Sequence, residues 1–257
     1  MKLSLTSIQS SLHWENRKAN LGMFDAKISN IDVTDIIVLP EMFSTGFTMK
    51  PELYFDTMEG ETIAWMKALS IKKNTAICGS IIIKNEVEQY VNRFLFVNQN
   101  EIQYYDKAHL FRMGEENQHY VKGESQKIIQ YKGFNIAPMV CYDLRFPAWI
   151  RRTPHFEYDL LLFVANWPQR RSEHWKTLLL ARAIENQAYV LGVNRIGNDG
   201  NGIYHSGDTS FINPLGEILY RKKEDEDIYT HVIEKSIIND YRKSFPVEKD
   251  TDEFNLK

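Results

Sequence analysis

Two periods run through the hydrophobic pattern of this chain, one of two residues and one close to 3.6, and they alternate. Residues 3–9 alternate apolar and polar side chains, which predicts a half-buried strand. Leu21, Phe24 and Ile28 then fall at helical spacing within residues 15–29. The short apolar run at 35–39, closed by Pro40, predicts a buried central strand. Residues 61–72 return to helical spacing through Ile63, Met66, Leu69 and Ile71. Strand patterns follow at 75–84, 90–98 and 101–106, then at 134–140 and 159–164. The clearest helix covers 173–187, and a strand at 188–194 follows it directly. Strands at 209–212, 217–220 and 228–233, with a turn at Asn213-Pro214-Leu215-Gly216, precede a last helix over 235–242. Helices at both ends and in the middle, with two groups of strands between, predict an α/β fold of two mixed sheets packed face to face with helices outside. A doubly wound parallel sheet fits less well, because the hairpin-like succession from 75 to 106 calls for antiparallel neighbours.

Composition narrows the class. The chain has 257 residues, 43% hydrophobic and 25% charged, without linker, repeat or low-complexity tract, so one domain over residues 1–257 is expected. A net charge of −3 gives no basic excess for nucleic acid or an anionic membrane. The first residues contain one lysine and no signal-like apolar run, and no segment approaches the ~20 apolar residues of a membrane span. Two cysteines, Cys78 and Cys141, cannot build a secreted disulfide framework and form no metal-ligand pattern with histidine. The expectation is a reduced, cytoplasmic protein with no metal and no organic cofactor. The charge run RKKEDED at 221–227 reads as a solvated turn between strands.

Cys141 stands where the apolar strand Ile136-Ala137-Pro138-Met139-Val140 runs out into a polar segment, and Pro147 is placed to open a short helix through Ile150. By itself this position suits either a packing thiol or a nucleophile; Cys78, inside a strand, suits only the former. A free thiol titrates near ~8.5 and needs a base. No histidine lies in a papain-like or caspase-like pattern, but a dry carboxylate serves equally well. Glu41, behind the buried strand and Pro40, suits that role or a helix start. Lys107, after the strand ending at Asp106, suits a charge partner or a solvated lysine.

The combination is more telling than its parts. A glutamate, a lysine and a cysteine each stand just past the end of an apolar strand, in the segments LPEMFSTGF (39–47), YDKAHLF (105–111) and VCYDLRFP (140–147). These resemble the three catalytic motifs of the nitrilase superfamily, the carbon–nitrogen hydrolases. ANWP (165–168), ARAIENQ (181–187), VNRIG (193–197) and NPLGEI (213–218) extend the resemblance over most of the chain. FRMGEENQHY (111–120), ANWPQRRSEHW (165–175), DGNG (199–202) and YRKSFPVEKDTDEF (241–254) are similar to the omega-amidase branch, the 2-oxoglutaramate amidases. Many relatives carry Pro-Glu after the CYDLRF run, where this chain has Pro147-Ala148; that glutamate is not one of the three catalytic groups.

The resemblance implies a four-layer α-β-β-α sandwich and hydrolysis of the terminal amide of a small α-keto acid, of the 2-oxoglutaramate or 2-oxosuccinamate type, through a cysteine thioester. It implies Cys141 as nucleophile, Glu41 as base and acid, and Lys107 with the Tyr142 backbone N–H as oxyanion donors. A second glutamate, Glu116 in preference to Glu115, would position the lysine. Phe43, Arg112, Arg145 and Trp167 are the expected substrate contacts, and Arg182 with Glu185 a structural pair. The partners implied are a small amide and water, with a homodimer or higher homo-oligomer joined through the helix after Cys141 and the tail at about 240–257. A nitrilase or N-carbamoyl amine hydrolase would use the same three groups. A catalytically silent scaffold would have no need of them.

Overall fold

In the computed structural model, which describes residues 1–252, the shortest strand shows how the layers stack. Ile36 and Val38 face one core and Ile37, between them, faces another, so this strand is buried on both sides as its unbroken apolar run requires.

The elements follow the predicted order. Strand β1 (Lys2–Gln9), helix α1 (Arg17–Ser29), β2 (Ile36–Val38), the short α2 (Pro51–Tyr54) and α3 (Glu61–Lys73) come first. Strands β3 (Ala76–Lys84), β4 (Tyr90–Asn98) and β5 (Glu101–Asp106) then lead to α4 (Glu116–His119). The second half runs β6 (Ile129–Tyr131), β7 (Phe134–Val140), α5 (Pro147–Ile150), β8 (Leu160–Ala165), α6 (Ser172–Asn186) and β9 (Tyr189–Asn194). It closes with β10 (Ile196–Asn198), β11 (Tyr204–Ile212), β12 (Ile218–Lys223), β13 (Asp227–Glu234) and α7 (Lys235–Ser244). Helix ends obey local chemistry. Asn16 caps α1 by accepting the Ala19 N–H at 3.1 Å, and Asn74 and Gln187 end α3 and α6 in the left-handed conformation.

Six strands form one sheet in the order β13-β1-β2-β3-β4-β5, and β10-β11-β9-β8-β7-β6 form the other, with β12 paired to β11. Both are mixed. β1, β2 and β3 are parallel and β3-β4-β5 antiparallel, while β7, β8 and β9 are parallel. Leu3, Leu5, Cys78, Phe94 and Phe96 of the first sheet share one core with Ile136, Met139, Leu161 and Phe163 of the second. Phe24 and Ile28 of α1 and Ile63 and Met66 of α3 cover the first sheet's outer face. Trp175, Leu179 and Ala183 of α6 cover the second. The α-β-β-α layering matches the expectation.

The charge run at 221–227 is the expected solvated turn between strands: Arg221, Lys222 and Lys223 end β12, residues 224–226 are exposed and Asp227 opens β13. Glu226 accepts from Ser10 Oγ (2.9 Å), Ser11 N (3.0 Å) and Lys27 Nζ (2.6 Å), because the hairpin folds its acid back onto β1. The start of the tail packs on its own chain, with Arg242 donating to the carbonyls of Gln187 and Tyr158. Residues 253–257 of the expected interface tail, including the end of YRKSFPVEKDTDEF, lie outside the described residues. Among the described residues, no helix is long and apolar enough to cross a membrane.

Parallel β7, β8 and β9, with β2 and β5 opposite, bring five chain exits to one edge of the sandwich. The seat of α6 against them depends on Gly192, where a Cβ would lie 2.6 Å from Leu179 and 2.8 Å from Trp175. Gly192→Ala is expected to cost about 1–3 kcal/mol by overpacking this contact. Urea denaturation followed by tryptophan fluorescence measures it, and an unchanged midpoint would contradict the packing argument.

Candidate active site

Glu41 does not start a helix. The chain leaves β2 through Leu39 and Pro40 and turns at Met42, whose φ of +45° lies in the left-handed region. Ser80 Oγ accepts the Met42 N–H at 3.0 Å and fixes the turn. The Glu41 side chain is thereby driven into the interior, fully buried. It accepts from Asn92 Nδ2 (2.8 Å), Lys107 Nζ (2.9 Å) and the Asn166 backbone N–H (2.7 Å), while Asn166 Nδ2 donates to the Glu41 carbonyl at 2.6 Å. Asn92 belongs to β4 and Asn166 follows β8, so this one carboxylate bridges both sheets.

Lys107 is not solvated. Its backbone N–H donates to the Asn92 carbonyl (3.0 Å), continuing the β4–β5 pairing, and its side chain is fully buried. The ammonium donates to Glu41 Oε1 at 2.9 Å and to Glu116 at 3.0 and 2.9 Å. Glu116, at the start of α4, is fully buried and also accepts the Phe111 N–H (2.6 Å). Its neighbour Glu115 is exposed and occupies the left-handed joint before the helix. Of the two acids, Glu116 is the one brought to the lysine.

Cys141 follows β7 at φ +45°, strained for a residue with a side chain, and opens a tight turn through Arg145. Asp143 locks this turn. Its buried carboxylate accepts from Val140 N (2.9 Å) and Tyr105 OH (2.9 Å), and from His109 N (3.0 Å). The turn carrying Cys141 is therefore tied to the segment carrying Lys107. Pro147 opens the short α5 as its position suggested.

Burial, and next the Glu41 carboxylate, push the Cys141 thiol well above its ordinary value, with Lys107 opposing. Burial alone would lower the Lys107 ammonium, but Glu116 and Glu41 outweigh it and hold its pKa above the lysine norm. Glu116 is raised, mainly by burial against the pull of Lys107. The lysine is a fixed cation and the cysteine a thiol awaiting a base.

The Cys141 side chain faces a cavity of about 120 Å³, room for a small metabolite. Tyr142, Arg145 and Trp167 line it. Phe43 does not: it is fully buried on the far side of the first sheet, edge-on to Phe24 with ring centres 5.8 Å apart. Arg112 does not either, being exposed in the turn before Glu115. Arg182 pairs with Glu185 at 3.0 Å, a structural contact beside the carbonyl of Leu144. Sequence reasoning missed Asn92, Asn166, Arg170, Arg171 and His205. For Asn92 a signal existed: it shares a strand face with the buried Phe94 and Phe96, where a polar residue needs a partner. Among the described residues, no three His, Cys, Asp or Glu side chains gather to hold a metal ion.

Two mixed sheets with a dry Glu–Lys–Glu cluster beside a cysteine at their strand ends define a hydrolase of the nitrilase type. The chain belongs to the carbon–nitrogen hydrolase family, which matches residues 5–243. It is 44% identical over 258 residues to the omega-amidase YafV of Escherichia coli, covering 99% of this chain and 98% of that protein. Identity to the 2-oxoglutaramate amidase of Bacillus subtilis is 28% over 254 residues, 97% of this chain and 98% of the relative. A superfamily member from Xanthomonas campestris, whose crystal structure carries an arsenic adduct in its active site, superposes with a TM-score of 0.97 at 37% identity over the whole of both chains.

The raised thiol has a direct consequence. Alkylation of Cys141 by iodoacetamide is expected to keep rising with pH past 9 without a plateau, since only thiolate reacts. Glu41→Gln removes a raising charge, so its profile is expected to shift to lower pH. A wild-type plateau below pH 8 would overturn this reading.

Proposed function

We propose that the protein hydrolyses the terminal amide of small α-keto acids, of the 2-oxoglutaramate or 2-oxosuccinamate type, to the acid and ammonia. The observation that carries the chemistry is the fully buried Lys107 ammonium held between Glu41 and Glu116 beside Cys141. The similarity to an omega-amidase and a 2-oxoglutaramate amidase supports the substrate class.

Glu41 takes the Cys141 proton as Sγ attacks the amide carbon, which a thiol raised by burial cannot do unaided. The oxyanion meets the Lys107 ammonium and the Tyr142 backbone N–H, donors already fixed before the substrate arrives. Collapse breaks the C–N bond, and Glu41 returns its proton to the departing ammonia, leaving a thioester on Cys141. Glu41 then deprotonates water, which attacks the thioester carbon and releases the acid and the Cys141 thiol. Glu116 holds Lys107 in place and supplies no proton. Arg145 and Trp167 contact the substrate from the cavity wall, the guanidinium lying 4.8 Å from the indole centre. The chain acts as one domain in the cytoplasm and pairs as a homodimer through the segment after Cys141 and its C-terminal tail.

Ammonia release is the measurement, across 2-oxoglutaramate, glutamine, a simple nitrile and an N-carbamoyl amino acid. The keto-acid amide is expected to dominate. Cys141→Ala should abolish turnover, and Glu41→Gln should lower kcat by about 10²–10⁴-fold. Equal turnover of nitrile and keto-acid amide would overturn the substrate assignment. No release from any compound would overturn the enzyme reading.

A further inference from the structure

Three guanidinium groups, those of Arg145, Arg170 and Arg171, face the Cys141 cavity. Among the described residues none of the three forms a salt bridge with an acid. Four other arginines, Arg112, Arg151, Arg195 and Arg221, likewise have no acid within 4.0 Å among the described residues, but none of them lines this cavity. Arg17, Arg93, Arg152, Arg182 and Arg242 each have an Asp or Glu within 4.0 Å. One acid, Asp199, does line the cavity, but its Oδ1 accepts the N–H groups of Asn201 and Ile203 and it reaches none of the three arginines.

The arginines are held rather than loose. Arg171 lies with its Cζ 5.1 Å from the Phe111 ring centre, and its carbonyl accepts from Trp167 Nε1 at 2.7 Å. Arg145 stacks over Trp167 on the other side and shares a hydrogen bond with His174. Phe111 and Tyr142, 5.1 Å apart, complete an aromatic floor between the two cations. Burial and then Arg170 lower the Arg171 pKa, while Cys141 pulls it up. Like charges crowded on one wall without a counter-ion repel one another until an anion enters.

We infer that Arg171, with Arg145, grips the carboxylate of the substrate and makes the site selective for amides of net negative charge over neutral and zwitterionic amides of the same length. This rests on the amidase reading and deepens it. A guanidinium pair offers the planar fork that a carboxylate accepts in two parallel bonds. A neutral amide leaves the repulsion unrelieved. An amino-acid amide such as glutamine brings an α-ammonium into the same field, so its carboxylate is offset by a like charge. A keto oxygen at that carbon carries no such penalty. The choice of keto acid over amino acid thus comes from the charge of the wall and needs no group that recognises the ketone itself.

Two measurements on the whole protein test this. In the first, kcat/KM is compared for succinamate, butyramide and glutamine in wild type, Arg171→Gln and Arg171→Lys. Arg171→Gln is expected to lower the succinamate value by about 10–100-fold, mainly through KM, and butyramide by less than about 3-fold. Arg171→Lys should recover part of the loss, and added salt should weaken succinamate turnover more than butyramide turnover. Equal losses on succinamate and butyramide would overturn the assignment while leaving the amidase reading intact. The second readout needs no turnover. Cys141 is alkylated with iodoacetate, an anion, and with iodoacetamide, its neutral counterpart; Cys78 is fully buried and does not compete. The ratio of the two rates is expected to fall about tenfold in Arg171→Gln. An unchanged ratio would overturn the assignment whatever the enzyme assays give.

Discussion

A single ammonium sealed between two carboxylates organises this molecule. Lys107 is almost wholly withdrawn from solvent, so its charge is tolerable only because Glu41 and Glu116 reach it from different elements at hydrogen-bond distance. Desolvating each ion costs several kcal/mol, and a buried cluster repays that only when its geometry is complete. Completeness here needs the exits of β2 and β5, the start of α4, and the amides of Asn92 and Asn166 from opposite sheets. The sandwich must therefore close with its two sheets in the correct offset for the cluster to exist. The same closure makes the ammonium immobile and places the Glu41 carboxylate beside a thiol that cannot ionise readily by itself.

Rigidity at the strand ends has a visible cost. Met42 and Cys141 both take left-handed backbone conformations that disfavour side chains, at the two turns that deliver Glu41 and Cys141. Each is overdetermined by its surroundings: Ser80 holds the first, and Asp143, through Val140, Tyr105 and His109, holds the second. Asp143 is the less obvious element. It touches neither cavity nor cluster, yet it couples the Cys141 turn to the Lys107 segment, so the sulfur and the ammonium are set relative to each other.

Much of this was legible in the sequence because function and fold used the same signal. Glu41 and Cys141 stand one to three residues past strands buried on both faces, the easiest elements to read, and Lys107 directly follows the half-exposed β5, whose hairpin with β4 marks its end. β11 was harder. Its first half, Tyr204 to Asp208, is polar because His205, Ser206 and Asp208 face buried hydrogen-bonding partners rather than a hydrophobic core, so the strand was read only from Thr209. Phe43 and Arg112 misled for a different reason. Closeness to a motif along the chain does not give a direction, and the turn at Met42 sends Glu41 inward and Phe43 outward toward α1. Arg171 stands 30 residues from Cys141 (171 − 141), within the ANWPQRRSEHW stretch that carries the branch resemblance but gives its arginines no direction. Nothing in periodicity says which way an arginine at such a joint turns.

The two ends of the cavity carry opposite fields, and their coupling bears on how the thiol is used. Around Cys141 burial first, and then Glu41, hold the proton on sulfur against the pull of Lys107; at the mouth, Cys141 and Arg171 attract each other. An anionic substrate seated on Arg171 cancels that outer attraction at the moment the carbonyl arrives. Ionisation of Cys141 then depends more heavily on Glu41, and proton removal is tied to nucleophilic attack rather than preceding it. A free thiolate waiting in an open pocket would be exposed to oxidants and stray electrophiles. On the proposed mechanism, keeping the thiol protonated until a substrate is seated restricts its reactivity to the occupied site, with Glu41 as the base and Lys107 as the cation that site requires.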